Sequence, residues 1–118
     1  MKIWCQSAGA LGKDEAWKPY EQSLRRHLQD VVRPGTEVHL QGTDFTIPGL
    51  ARYRTPSLVA QFQAIRNAIR AEEQGYDAFV QNSTNDGGFD EIRELVSIPA
   101  IFVTETGLHL ACLLADKF

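Results

Sequence analysis

The residues best suited to chemistry in this sequence lie in one polar turn, where Asn82, Ser83 and Thr84 follow the short apolar run 77–80. Two glycines and a helical pattern come next, so the turn predicts the point where a buried strand gives way to a helix. In an open parallel sheet, ligands bind just outside the carboxyl ends of the strands. Hydroxyl and amide groups at that position predict a binding site for a small anion such as a carboxylate.

Two further strand ends bring polar side chains to the same edge: Gln6 and Ser7 after the run 2–5, and Thr104, Glu105 and Thr106 after the run 99–103. Helices that start here would add free backbone N–H groups as donors for a carboxylate. Glu105 would repel such a ligand, so its side chain is expected to turn away or to pair elsewhere. The same residues could also serve only as helix caps and turns, and this alternative stays open.

A few single residues outside these turns are weaker candidates for the site. Tyr53 lies in a loop, residues 42–54, that could cover part of it, and His109 lies early in the last predicted helix. Cys5 and Cys112 lie among apolar neighbours, where cysteines are more often small buried hydrophobes than nucleophiles. The sequence shows no metal-ligand spacing and no glycine-rich phosphate motif, so neither a metal cluster nor a nucleotide phosphate site is predicted.

The elements that must position these residues alternate along the chain. Strand patterns at 2–5, 36–40, 77–80 and 99–103 alternate with helical patterns that begin near Pro19, Thr55, Asp86 and Thr104 or Thr106. Asp86 is expected to cap the third helix, and Thr104 or Thr106 the last. This alternation predicts a parallel sheet with helices on both faces. The predicted fold is a three-layer α/β lobe, flavodoxin- or Rossmann-like, with four parallel strands in order 2-1-3-4 and residues 1–118 in a single domain.

Composition limits the classes of function. The chain has 118 residues and a formal net charge of −3, which argues against nucleic acid as a partner. Its two cysteines lack disulfide or metal spacing and suit a reducing compartment, so a cytoplasmic location is expected. The first residues lack a signal-peptide core, and no apolar run approaches the ~20 residues needed to cross a bilayer. A membrane partner is therefore not expected.

Several stretches of the sequence occur in an order that is typical of one known superfamily. They are VRPGTEV at 32–38, EQGYDAFV at 73–80, DGGFDEIREL at 86–95, IPAIFVTE at 98–105, LHLA at 108–111 and DKF at 116–118. Together they extend from residue 32 to residue 118, which is most of the chain. The ordered set resembles the first, N-terminal lobe of the aspartate/glutamate/hydantoin racemase superfamily.

This resemblance implies a protein of two pseudo-symmetric α/β lobes with the active site between them. In such racemases each lobe supplies a cysteine at a strand end. One thiolate removes the α-proton of the substrate, and the other thiol returns a proton on the opposite face. The resemblance also implies no metal, no pyridoxal phosphate, and a substrate carboxylate held by backbone N–H groups and small polar side chains.

The sequence departs from that pattern at two points. The position of the first-lobe cysteine falls on Ser83, or on a neighbour, and the chain ends at Phe118, where the second lobe is expected to begin. Neither Cys5 nor Cys112 falls on a catalytic position. A serine hydroxyl keeps its proton near neutral pH without a dedicated base, so it cannot replace a thiolate of pKa ~8.5. A decarboxylase branch of the superfamily uses first-lobe hydroxyls as an oxyanion pocket, and the turn at Ser83 resembles that arrangement.

Two functions fit these patterns. The first is the half-site of a cofactor-independent amino-acid racemase, isomerase or related decarboxylase, with Ser83 at the catalytic position and a carboxylate bound by Gln6, Ser7, Asn82, Thr84, Thr104 and Thr106. The chain alone is then expected to be inactive as a racemase. The alternative is a catalytically silent module that dimerises or binds a small acid. A homodimer is expected through an exposed face of the lobe, with Tyr53, Phe45 and the last helix as candidates.

Overall fold

A computed structural model describes residues 1–117 of the protein. The elements in chain order are β1 (Lys2–Ser7), a short 3-10 turn (Glu15–Trp17), α1 (Lys18–Val31), β2 (Glu37–Gln41), α2 (Arg54–Glu73), β3 (Ala78–Asn82), α3 (Phe89–Leu95), β4 (Ala100–Phe102) and α4 (Val103–Leu114). The predicted alternation of strands and helices is confirmed.

The strands lie parallel in one four-stranded sheet of order β2-β1-β3-β4. The chain begins at the centre, moves out to β2 and then returns through α2 to the other side of β1. The connections therefore diverge between β1 and β3, which is where an open α/β sheet forms a crevice for ligands. The register places Ser7 of β1 directly beside Asn82 of β3 at this point. The predicted three-layer α/β fold and its strand order are confirmed.

Trp4 and Cys5 are neighbours in β1 and point into two different cores, because successive side chains of a strand face opposite sides of the sheet. Trp4 packs with Phe79 and with small alanines of α2, which let that helix approach the sheet closely. Cys5 packs with Leu40 and with apolar residues of α1. Burial raises the pKa of the Cys5 thiol to about 11, in line with its interpretation as a buried hydrophobe. Cys112 is instead exposed, so the same interpretation is wrong for that residue.

The boundaries of α2 follow local signals, but the start of α4 does not. α2 begins at Arg54, has Pro56 in its first turn, and is followed by Gly75 in a left-handed conformation with φ 75°. α4 begins at Val103, directly after the last residue of β4. The expectation that Thr104 or Thr106 caps α4 is therefore wrong, because both residues lie inside the helix.

Candidate functional site

At the end of β1, Gln6 and Ser7 are both buried, with exposed fractions of 1% and 2%. The Gln6 side-chain oxygen accepts hydrogen bonds from Trp4 Nε1 at 3.2 Å and from Asn67 Nδ2 at 2.9 Å. The Ser7 hydroxyl accepts one from the backbone N–H of Gly9 at 3.2 Å. Both side chains have internal partners: Gln6 connects β1 to α2, and Ser7 fixes the turn after the strand.

Asn82 ends β3 and faces the α1 side of the sheet, as its register partner Ser7 does. Its Nδ2 donates a hydrogen bond to the phenol oxygen of Tyr20 on α1 at 3.1 Å. Tyr20 packs edge-on against Trp17, with ring centroids 5.8 Å apart. Two aromatic rings therefore border this strand end. No local signal in the sequence marks these rings as part of the site, because the contact joins residues 62 positions apart.

Ser83 begins a chain of polar side chains that leads from the sheet to the start of α2. Its hydroxyl donates to Asn85 Oδ1, and Asn85 Nδ2 donates to the Ser57 hydroxyl at 3.1 Å. Gln61 Nε2 donates to the same hydroxyl at 3.2 Å. Among residues 1–117, Ser83 forms no hydrogen bond with a histidine, lysine or carboxylate side chain. Its hydroxyl can act as a hydrogen-bond donor, but the described part of the chain places no base beside it to remove its proton.

The backbone N–H groups at the start of α4 are capped by a side-chain carboxylate of the protein. Asp86 accepts hydrogen bonds from the backbone N–H groups of Thr104 at 3.1 Å and Glu105 at 2.8 Å. The Thr104 hydroxyl donates to the carbonyl oxygen of Thr84 at 2.7 Å. The expectation that Asp86 caps α3 is wrong, because it caps α4, and α3 has Gly88 at its N-cap position with no side-chain cap. Two of the N–H groups expected to bind a ligand are thus engaged by Asp86.

Glu105 turns away from the strand ends and pairs with Arg93, with N–O distances of 2.9 and 2.5 Å. The hydrogen bond with the guanidinium lowers the pKa of Glu105 and raises the pKa of Arg93. The expectation that Glu105 pairs elsewhere is confirmed. Thr106 and His109, the other predicted site residues on α4, are exposed, and neither bonds to the polar turn after β3 within the described part of the chain.

A groove of about 470 Å³ lies in front of the first turn of α2, and we call it the α2 groove. It is lined by Leu50, Ala51, Arg52, Tyr53, Arg54, Ser57, Leu58, Gln61 and Asn85. Of the residues predicted for the site, only Tyr53 lines it. Asn85 connects the groove to Ser83 through the hydrogen bond described above.

The α2 groove is suited to an anion. Neither Arg52 nor Arg54 forms an ion pair with a carboxylate among residues 1–117. The N-cap position of α2, at Tyr53, provides no side-chain cap, so the positive end of a 20-residue helix faces the groove. Ser57 accepts two hydrogen bonds and still has its own hydroxyl proton to donate. The signal for this groove in the sequence is the pair of arginines that flank Tyr53 at the start of the helix.

Within residues 1–117, no three His, Cys, Asp or Glu side chains come close enough to hold a metal ion. Over the same residues, no helix combines the length and the apolar character that crossing a membrane requires.

Comparisons with known proteins give one informative result. No family model matches the sequence, and no curated protein matches it either. Among solved structures, allantoin racemase from Klebsiella pneumoniae matches 96% of this chain with a TM-score of 0.77 at 21% sequence identity. The fold resembles that of part of this racemase. The chain spans 43% of the length of that racemase. At this identity the likeness shows the fold alone, and the fold implied by the resemblance to the racemase superfamily is confirmed.

Proposed function

We propose that this chain is a racemase-like lobe that binds a small carboxylate-bearing molecule at the carboxyl edge of its sheet and stabilises an enolate-like oxyanion there. The observation that carries this proposal is the polar turn after β3, which holds Asn82 and Ser83 at the strand-end crevice of a fold shared with a racemase. Hydroxyl and amide donors fixed at such a position stabilise negative charge as it develops on a substrate.

The carboxylate is proposed to lie on the α2 side of this edge and not against α4. Asp86 already engages N–H groups at the start of α4, and its negative charge would repel a second carboxylate. The α2 groove instead offers a positive electrostatic field, which comes from Arg52, Arg54 and the N-terminal end of α2. A ligand whose carboxylate lies in this groove would have its remaining atoms toward Asn85 and Ser83.

Ser83 is proposed to act as a hydrogen-bond donor and not as the base that removes a proton. Its partner is the amide of Asn85, which does not take up a proton near neutral pH. The hydroxyl could turn from Asn85 to a substrate oxygen without any change in the backbone. This role matches an oxyanion pocket, in which the proton is removed by a group that these residues do not supply.

A catalytically silent module that binds a small acid is the second candidate. The absence of a base beside Ser83, within the described residues, favours it. Neither function predicts exchange of the substrate α-proton by this chain alone, because the described residues place no base beside Ser83. Binding of an enolate-like analogue of the acid separates the two functions. A lobe that stabilises an oxyanion should bind the analogue more tightly than the parent acid and lose the difference in Ser83→Ala, whereas a silent module should bind both alike.

We also propose that the protein works in a reducing setting, the cytoplasm. Both cysteines are free thiols, one of them exposed, and exposed thiols persist unpaired where the compartment is reducing.

Binding of malonate and of aspartate, measured by calorimetry, tests the proposal. We expect millimolar or tighter affinity that weakens with added salt, because the groove charges are exposed to screening. Losing one charge-assisted hydrogen bond in Arg54→Gln should weaken binding about tenfold or more. Arg26→Gln, on the exposed surface of α1, removes the same charge outside the groove and should leave affinity unchanged. Equal weakening by both substitutions would contradict a specific site.

A further inference from the structure

The hydroxyl of Tyr20 lies at the end of β3, on the α1 side of the sheet, and keeps a proton that it can donate. It accepts the hydrogen bond from Asn82 Nδ2 at 3.1 Å, and within the described part of the chain it donates to no other group. A phenol hydroxyl both accepts and donates hydrogen bonds, so its proton is available to a bound molecule. The Tyr20 side chain is 40% exposed, so a small molecule in solution can reach it.

Packing holds the Tyr20 ring in place. The ring lies edge-on against Trp17, at an angle of 74° between the two planes. Trp17 packs so closely on Gly9 that a Cβ atom at that position would lie 2.5 Å from the indole ring. Trp17 also packs against the core around Cys5. A donor held in this way needs little rearrangement when negative charge develops beside it, and such donors stabilise that charge most effectively.

The predicted site residues on the α1 side are less available to a ligand than Tyr20 is. Ser7 is 2% exposed, so its hydroxyl does not reach the outside of the sheet. The Asn82 amide already donates to Tyr20. Ser83, the next residue along the chain, is connected to Ser57 on the opposite, α2 side. An oxygen atom held over the end of β3 would therefore have the Ser83 hydroxyl on one side and the Tyr20 hydroxyl on the other.

We propose that Tyr20 is a further ligand-binding residue of this site, and that its hydroxyl donates a hydrogen bond to the enolate-like oxygen of a bound acid. The inference rests on the proposed function, because it takes the acid to bind at this edge of the sheet. An oxyanion pocket combines several fixed donors, and tyrosine is one of the side chains that supply them. A phenol is more acidic than an aliphatic alcohol, so Tyr20 is the stronger donor of the pair that it forms with Ser83.

Binding of malonate and of malonohydroxamate, measured by calorimetry at pH 7, tests this role. In malonohydroxamate a planar hydroxamate, which resembles an enolate, replaces one carboxyl group of malonate. Tyr20→Phe removes only the hydroxyl and keeps the ring, so it should weaken malonohydroxamate binding by at least about fivefold. Malonate affinity should fall by less, because the proposed source of that affinity is the α2 groove. Equal weakening of both probes would contradict a hydrogen bond to the enolate-like oxygen.

Tyr76→Phe is the matched control, because it removes the same hydroxyl group at the other end of β3, two residues before the strand begins. The control should leave both affinities unchanged. A second measurement needs no variant: malonohydroxamate should shift the side-chain amide signals of Asn82, since its partner Tyr20 gains a new hydrogen bond. Unchanged Asn82 signals at saturation, or a control that weakens binding as much as Tyr20→Phe does, would overturn the role of Tyr20.

The outcomes also separate this inference from the proposed function. If Arg54→Gln weakens malonate binding but Tyr20→Phe binds malonohydroxamate like the unmodified protein, the role of Tyr20 is wrong and the proposed function stands. If neither probe binds at millimolar concentration, the proposed function is wrong and the role of Tyr20 is wrong with it.

Discussion

Replacing Asp86 tests how the start of α4 is held beside the site. The Asp86 carboxylate accepts two backbone N–H groups of α4, and the residue at the N-cap position, Phe102, provides no side-chain cap. Asp86 has a left-handed backbone conformation with φ 43°. Glycine adopts this conformation without strain, so Asp86→Gly removes the carboxylate and leaves the turn possible.

The expected cost follows from these contacts. Loss of a capping side chain costs about 0.5–2 kcal/mol, and the two charge-assisted bonds place Asp86→Gly toward the upper part of that range. Glycine at this position gives the unfolded protein more conformational freedom, which costs about 0.5 kcal/mol of stability. Glycine also relieves the strain of the left-handed backbone at residue 86, and this gain offsets that cost. We expect Asp86→Gly to destabilise by about 1.5 kcal/mol, or roughly 6 °C in Tm for a domain of this size. Asp86→Asn keeps one acceptor oxygen and should cost about half as much.

Urea unfolding at pH 7, followed by the fluorescence of Trp4 and Trp17, measures both variants. The Asp86→Gly protein should also gain stability from added malonate or sulfate beyond any gain of the unmodified protein, because its α4 N–H groups become free to bind an anion. Unfolding midpoints equal to that of the unmodified protein, with no added anion effect, would refute the assignment of Asp86 as the cap of α4.

Three further predictions concern the surrounding residues. Glu105 has a pKa below its ordinary value of about 4.5, so its ion pair with Arg93 stabilises the fold above that pH and the contribution is lost as the pH falls through the lowered pKa. Urea midpoints of Glu105→Gln should therefore lie below those of the unmodified protein at pH 7 and approach them near pH 3; a constant gap would count against the pair. Iodoacetamide at pH 8 should modify exposed Cys112 quickly and buried Cys5 only on unfolding, since Cys5 has a pKa of about 11, and mass spectrometry showing two fast additions would disagree. Gln6→Leu leaves Trp4 Nε1 and Asn67 Nδ2 without their acceptor, so it should lower the free energy of unfolding in urea by about 2–4 kcal/mol. A loss under about 0.5 kcal/mol would show that Gln6 does not connect β1 to α2.

The fold could be predicted from the sequence because its signals are local. Apolar runs such as 77–80, proline at Pro56 and glycine at Gly75 each mark an element or its end within a few residues. Once the strands and helices alternate, the rules for parallel sheets leave few strand orders. The order 2-1-3-4 followed from those rules.

The candidate site could be predicted only in part, because its contacts join distant residues. The position of Ser83 after a strand is local, but its chain of hydrogen bonds to Ser57 spans β3 and α2. Asp86 was expected to cap the helix nearest in sequence, and it caps one 17 residues later because the turn after β3 lies beside the end of β4. Gln6 was expected to bind a ligand. Its side chain is instead buried against α2, where its oxygen accepts a hydrogen bond from Asn67.

Amide chemical shifts of the protein titrated with malonate test the central claim most directly, that an anion binds in the α2 groove beside the polar turn. We predict saturable shifts that cluster at residues 52–57 and 82–86, with smaller shifts at Thr104 and Glu105, whose N–H groups Asp86 engages. The absence of shifts at 52–57 and 82–86 at millimolar malonate would contradict the claim. In that case the polar turn would be only a set of helix caps.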